Sequence, residues 1–104
     1  MELKEYNELK LYRSEDELCT ILELISDKIN FNGYEEQELI LLVKEILDID
    51  ILSLSYTVRE QLLSTLCDAV SYYDIRNKVD WGRVLSIRND IEDDLKEYIE
   101  EFFM

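Results

Sequence analysis

The chain has 104 residues, of which 47% are hydrophobic, two are Gly and none is Pro. That length suits a single domain over residues 1–104, the apolar content excludes a disordered acidic tail, and the shortage of turn residues excludes a β-sandwich or barrel. The formal net charge is −14, from 25 acids against 11 Lys and Arg, which repels nucleic acid and anionic membranes and attracts basic proteins, whereas solubility alone asks for a magnitude of roughly 2–8.

Residues 1–12 carry Leu3, Tyr6, Leu9, Leu11 and Tyr12 among charges, as a short helix or an irregular arm laid on the core. Ser14 followed by Glu17 has the spacing of a capping box, and Leu18, Ile21, Leu22, Ile25 and Ile29 then recur at helical spacing. Asn32-Gly33 stops this helix near Phe31. A second helix starts at Tyr34 or Glu35. Its run from Leu39 to Leu47 is apolar over most of the circumference, which places it centrally, and Asp48-Ile49-Asp50 ends it. A third begins near Ser53 or Ser55, with Thr57 and Glu60 as a candidate capping box. It buries Val58, Leu62, Leu66, Ala69, Val70 and Tyr73 and runs to about Asn77. Asp80 reads as the N-cap of a fourth helix with Trp81 in its first turn and a stripe of Val84, Ile87, Ile91, Leu95, Tyr98 and Phe102. The pattern predicts an all-α fold: an antiparallel bundle of about four helices, with or without a short N-terminal helix.

Histidine is absent, which rules out Ser-His-Asp and Cys-His nucleophiles, His-based zinc sites and the Glu-x-x-His pairs of di-iron bundles. Cys19 and Cys67 are too far apart in sequence for a metal or redox motif and read as free thiols in helical apolar patterns. No Gly-rich phosphate loop or EF-hand loop is present. No enzyme activity, cofactor or metal is expected. Met1-Glu2-Leu3-Lys4-Glu5 is charged where a signal peptide would turn apolar, and no apolar run approaches ~18 residues, so a cytoplasmic location is expected.

Two features point to protein binding. Asp90, Asp93, Asp94, Glu97, Glu100 and Glu101 fall on one face of the predicted last helix, opposite Ile91, Leu95 and Phe102, with Glu92 beside them and only Lys96 to relieve them. Asp90, Glu97 and Glu101 would form a ladder of negative charge ~16 Å long at 1.5 Å per residue. Like charges three or four apart repel by a few tenths of a kcal/mol, a cost that suits a surface meant for a cationic partner; a plain solvated face has the same pattern. Seven tyrosines are present, and Tyr72-Tyr73-Asp74 sets two beside an acid. Tyr is a common interface anchor, and these rings equally suit the edge of a core.

A small, acidic, helical chain with paired tyrosines resembles the bacterial immunity proteins that neutralise nuclease toxins of the colicin and contact-dependent inhibition type. The opening Met1-Glu2-Leu3-Lys4 is similar to that of some colicin immunity proteins. Their Asp-x-x-Tyr-Tyr is matched here by Asp68-Ala69-Val70-Ser71-Tyr72-Tyr73, one residue longer and without the following Pro, so only Tyr72 and Tyr73 carry over as anchors. The resemblance implies an antitoxin that covers a basic toxin domain. Asp90, Asp93, Asp94, Glu97 and Glu101 would steer association, and Tyr72, Tyr73 and Asp74 would anchor it. The alternative is a phage-type nucleic-acid mimic that inhibits a restriction or CRISPR effector, its carboxylates standing in for phosphates.

Overall fold

The computed structural model describes residues 3–104; Met1 and Glu2, the first two residues of the expected N-terminal arm, lie outside them. All regular structure among the described residues is helical, and the arm is a helix: α1 (Lys4–Leu11), α2 (Glu15–Asn30), α3 (Glu36–Leu47), α4 (Tyr56–Tyr72), α5 (Gly82–Ser86) and α6 (Asp93–Phe102), with 3-10 turns at Ile51–Ser53 and Arg88–Asp90. No described helix is long and apolar enough to cross a membrane.

Local chemistry sets most of these boundaries. The Ser14 side chain accepts the Glu17 N–H at 3.1 Å, while the Glu17 carboxylate takes the Arg13 N–H, one residue before the usual capping-box partner. Helix α2 ends in a Schellman motif, with Gly33 N–H bonded to Lys28 O at 2.7 Å and Asn32 N–H to Ile29 O at 3.0 Å. Asn32 is the left-handed residue (φ 54°). Gly33 is needed for another reason: a Cβ there would lie 3.0 Å from the Lys28 carbonyl oxygen. Glu38 reaches back to the Glu35 N–H at 2.9 Å to open α3. Thr57 and Glu60 do not form the expected cap, because α4 begins at Tyr56 with Ser55 as N-cap. The Ser55 N–H is taken instead by the Glu15 carboxylate of α2 at 2.7 Å.

Hydrogen bonds between elements fix the helix directions. Glu15 meets Ser55, Leu22 meets Thr65 and Ser26 meets Asp68, so α2 and α4 run the same way. Helix α3 runs opposite to α4, since Tyr34 just before it meets Tyr73 just past the end of α4, whereas Ile51 and Leu52 after it meet Arg59 near the start of α4. In α1, Glu5 pairs with Lys28 at the end of α2 and Lys10 pairs with Glu45 near the end of α3. Helices α1 to α4 therefore alternate in direction. The chain then returns through residues 73–92, so α6 starts beside the start of α4 (Arg59 to Glu92) and runs in the same sense.

The closest helix packing is between α2 and α4, followed by α4 and α6. This displaces α3 from its expected central place. It packs on α1 and α4, and Leu41 on its outer side stays 49% exposed. The wide buried arc belongs to α4, where Leu62, Leu63, Leu66 and Ala69 are fully buried because the helix is covered on two sides, by α2 and α6. Each fully buried Leu or Ile side chain contributes roughly 1.5–3 kcal/mol.

The last third departs from the expected continuous helix. Helix α4 stops at Tyr72, five residues before Asn77. Tyr73 is extended (φ −130°, ψ 144°) and Ile75 turns inward to full burial. The single helix expected from Asp80 is broken into α5, a 3-10 turn and α6, with Ile91 extended between them (φ −111°, ψ 170°). Asp80 caps only locally, accepting the Gly82 N–H at 2.9 Å, and Trp81 is the N-cap of α5. Long-range contacts explain the break. Arg88 pairs with Glu100, and the Trp81 and Phe103 rings lie 4.7 Å apart. In one straight helix those pairs would be about 18 and 33 Å apart.

Candidate functional site

The break changes the acidic ladder. Asp90 lies exposed in the 3-10 turn and is not part of α6. Within α6 the expected acids, Asp93, Asp94, Glu97, Glu100 and Glu101, are exposed, opposite the fully buried Leu95 and Ile99, whereas Phe102, expected on the buried side, is only half-buried. The ladder is thus Asp93, Glu97 and Glu101, about 12 Å long at 1.5 Å per residue.

Several of these acids are already engaged. Asp94 accepts a hydrogen bond from the Tyr56 phenol, Asp93 pairs with Lys96 at 3.0 Å, Glu100 pairs with Arg88, and Glu92 pairs with Arg59 at 2.7 Å. The Asp93–Lys96 pair neutralises little, since the Asp93 side chain is 97% exposed. Among the described residues no ion pair engages Asp90, Glu97 or Glu101.

The expected tyrosines separate into two roles. Tyr72, on the last residue of α4, is 54% exposed and free to meet a partner. Tyr73 is a clamp: its phenol donates to the Tyr34 carbonyl at 2.8 Å and accepts the Tyr34 N–H at 3.1 Å, tying the end of α4 to the start of α3. Asp74 is exposed in the following loop; the Lys78 ammonium is held charged first by its hydrogen bond to Glu36 and more weakly by Asp74. Tyr73→Phe is expected to cost about 1–2 kcal/mol in stability, because two part-buried backbone groups lose their partner. Thermal unfolding would show the loss, and binding through the exposed faces should be unchanged.

Two further tyrosines that the sequence does not single out border the α4–α6 seam. Tyr56 on α4 and Tyr98 on α6 both lie near Glu60 and Asp94. The Tyr56 phenol is pushed up to about 12, first by its hydrogen bond to Asp94. Burial and then Glu60 raise the Tyr98 phenol. Asp68 also acts on Tyr98, while Glu101 acts on Cys67, five residues before Tyr72. The seam between α4 and α6 is therefore a strip that carries two phenols, Tyr56 and Tyr98, among carboxylates. Such a strip can receive guanidinium or ammonium groups against carboxylates and ring faces together. In sequence its only trace is a pair of four-residue spacings, Tyr56 to Glu60 and Asp94 to Tyr98.

No group of three or more Cys, Asp or Glu is arranged to hold a metal ion among the described residues. Both cysteines are free thiols, and burial pushes Cys67 up to about 12, far from a reactive thiolate. The fold and the face define an acidic, all-helical bundle with an aromatic–carboxylate surface. Comparison with protein families, curated proteins and solved structures finds no match.

Proposed function

We propose that this chain is a binding protein for a basic protein partner, specifically an immunity-type inhibitor that neutralises a cognate nuclease toxin in the cytoplasm. The observation that carries this reading is the α4–α6 face, where Tyr56 bonds Asp94, Glu60 and Asp94 lie near both Tyr56 and Tyr98, and no ion pair among the described residues engages Glu97 or Glu101 on the exposed side of α6. Carboxylates steer a cationic surface into encounter, and partly buried aromatic rings hold it afterwards. A nuclease must present Lys and Arg to hold phosphates, so its substrate groove has the complementary charge.

The test is inhibition by titration. A nuclease domain encoded by a gene adjacent to this one is assayed for cleavage of plasmid DNA and of RNA as the chain is added, and the absence of any such neighbour counts against the reading. Cleavage is expected to stop at one equivalent, and other nucleases should be unaffected. Full cleavage at tenfold excess would reject the immunity role. Inhibition of several unrelated basic DNA-binding proteins, relieved by added duplex DNA, would instead establish a nucleic-acid mimic.

A further inference from the structure

Two of the most exposed leucines face one cleft on the side of α2 away from the α4–α6 face. Leu11, at the end of α1, is 73% exposed, and Leu24 on α2 is 49% exposed. Single exposed leucines are ordinary. These two stand on opposite walls of a concavity of about 550 Å³, with Tyr12 and Ile21 between them. Leu22 and Ser26 face α4, and Leu24 lies about 200° round the helix from Leu22. A partner seated here would leave Tyr56 and Tyr98 free.

We propose that this α1–α2 cleft is a second docking surface, and that its occupant is an amphipathic helical segment with one leucine-type stripe flanked by Lys or Arg. Charge selects that occupant. Glu8, Asp16 and Glu17 border the cleft against one cation, Lys4. Asp16 and Glu8 engage in no ion pair among the described residues. A second copy would bring a further −14 of charge and the same acidic rim, so self-association is disfavoured. Shape selects a helix. The walls are helices of 8 and 16 residues, about 12 and 24 Å long. A third helix laid along two others seats its i, i+3 and i+4 side chains in the furrow between them. The proposal does not depend on the identity of the partner at the α4–α6 face.

The probe is a fluorescein-labelled 18-residue peptide of Leu and Lys with its leucines on one helical face, titrated with the full chain at 0.15 M salt and followed by anisotropy. A permuted peptide of the same composition, its leucines scattered, is the charge control. Saturable binding at one equivalent is expected, at least tenfold tighter than the permuted peptide. Leu11→Ser with Leu24→Ser should weaken it at least tenfold, with the helical circular dichroism unchanged because both side chains are exposed. Glu8→Gln with Asp16→Asn should weaken it about threefold to tenfold. Equal binding of both peptides, or unchanged binding by the double Ser variant, would overturn the proposal. So would a dimer of the chain in sedimentation that the double Ser variant abolishes, since the cleft would then be filled by a second copy.

Discussion

Arg59→Ala is expected to lower the unfolding free energy by about 3–4 kcal/mol, a large part of the 5–15 kcal/mol typical of a domain. Arg59 is 9% exposed, and its guanidinium joins three parts of the fold. Nε donates to the Ile51 carbonyl at 3.2 Å, and one terminal nitrogen donates to the Leu52 and Leu54 carbonyls at 2.9 and 2.8 Å. The other terminal nitrogen makes a forked contact with Glu92, the N-cap residue of α6, at 2.7 and 3.0 Å. Removing the side chain strips three backbone oxygens of their donor and frees the start of α6. Arg59→Lys should recover less than half of the loss, because one ammonium cannot span carbonyls and carboxylate in a fixed fork. Urea unfolding followed by circular dichroism measures both, and a midpoint shift at constant slope is expected. The pH dependence adds a check. The Glu92 carboxyl is held low by its own backbone N–H and then by Arg59. Its contribution is complete above the ordinary carboxylate value of about 4.3 and is lost as pH falls through the lower folded value. The gap between wild type and Arg59→Ala should therefore narrow in acid. A loss below about 1 kcal/mol at neutral pH would show that water replaces the guanidinium at little cost.

Arg59 also marks the line between what the sequence shows and what it hides. Ser14 with Glu17, Asn32-Gly33 and Glu35 with Glu38 act within a few residues, so the ends of α2 and the start of α3 are legible locally. The end of α4 and the break before α6 carry neither Gly nor Pro. They are imposed by partners far along the chain: Tyr34 for Tyr73, Glu100 for Arg88, Phe103 for Trp81 and Arg59 for Glu92. Those tertiary contacts override a strong helical pattern. The same division runs through the binding face. The acids of α6 lie on one side because their spacing requires it, and that much is visible in the sequence. That Tyr56 and Tyr98 both lie near Glu60 and Asp94 depends on α6 running in the same sense as α4, which follows from the return through residues 73–92. Tyr73 has the opposite history: conspicuous in the sequence as half of a tyrosine pair, it is spent on holding the Tyr34 backbone.

Neutralising Glu60, Glu97 and Glu101 together with Gln should slow association with the basic partner about tenfold at 0.15 M salt, because electrostatic steering raises on-rates by 10–1,000-fold over the unsteered value. The comparison that gives this meaning is a second triple variant of equal charge change, Glu23→Gln, Asp27→Asn and Glu36→Gln, on the other helices. The molecule measures 37 × 31 × 20 Å. At 0.01 M salt the screening length is about 30 Å, and every acid contributes to attraction wherever it sits. At 0.15 M it is about 8 Å, and only acids facing the partner still act. Both variants should therefore associate slowly at low salt. At 0.15 M the second should return to within twofold of wild type while the first stays slow. Dissociation should change less than association in either case, since Tyr56 and Tyr98 remain to hold the complex. Stopped-flow mixing of wild type and both variants at the two salt concentrations gives the six association rates. Equal behaviour of the two variants at 0.15 M would mean that the −14 charge acts as a diffuse cloud and that the α4–α6 face has no special part in recognition. A difference confined to 0.15 M would locate the encounter on that face, since at that salt only acids facing the partner still steer association.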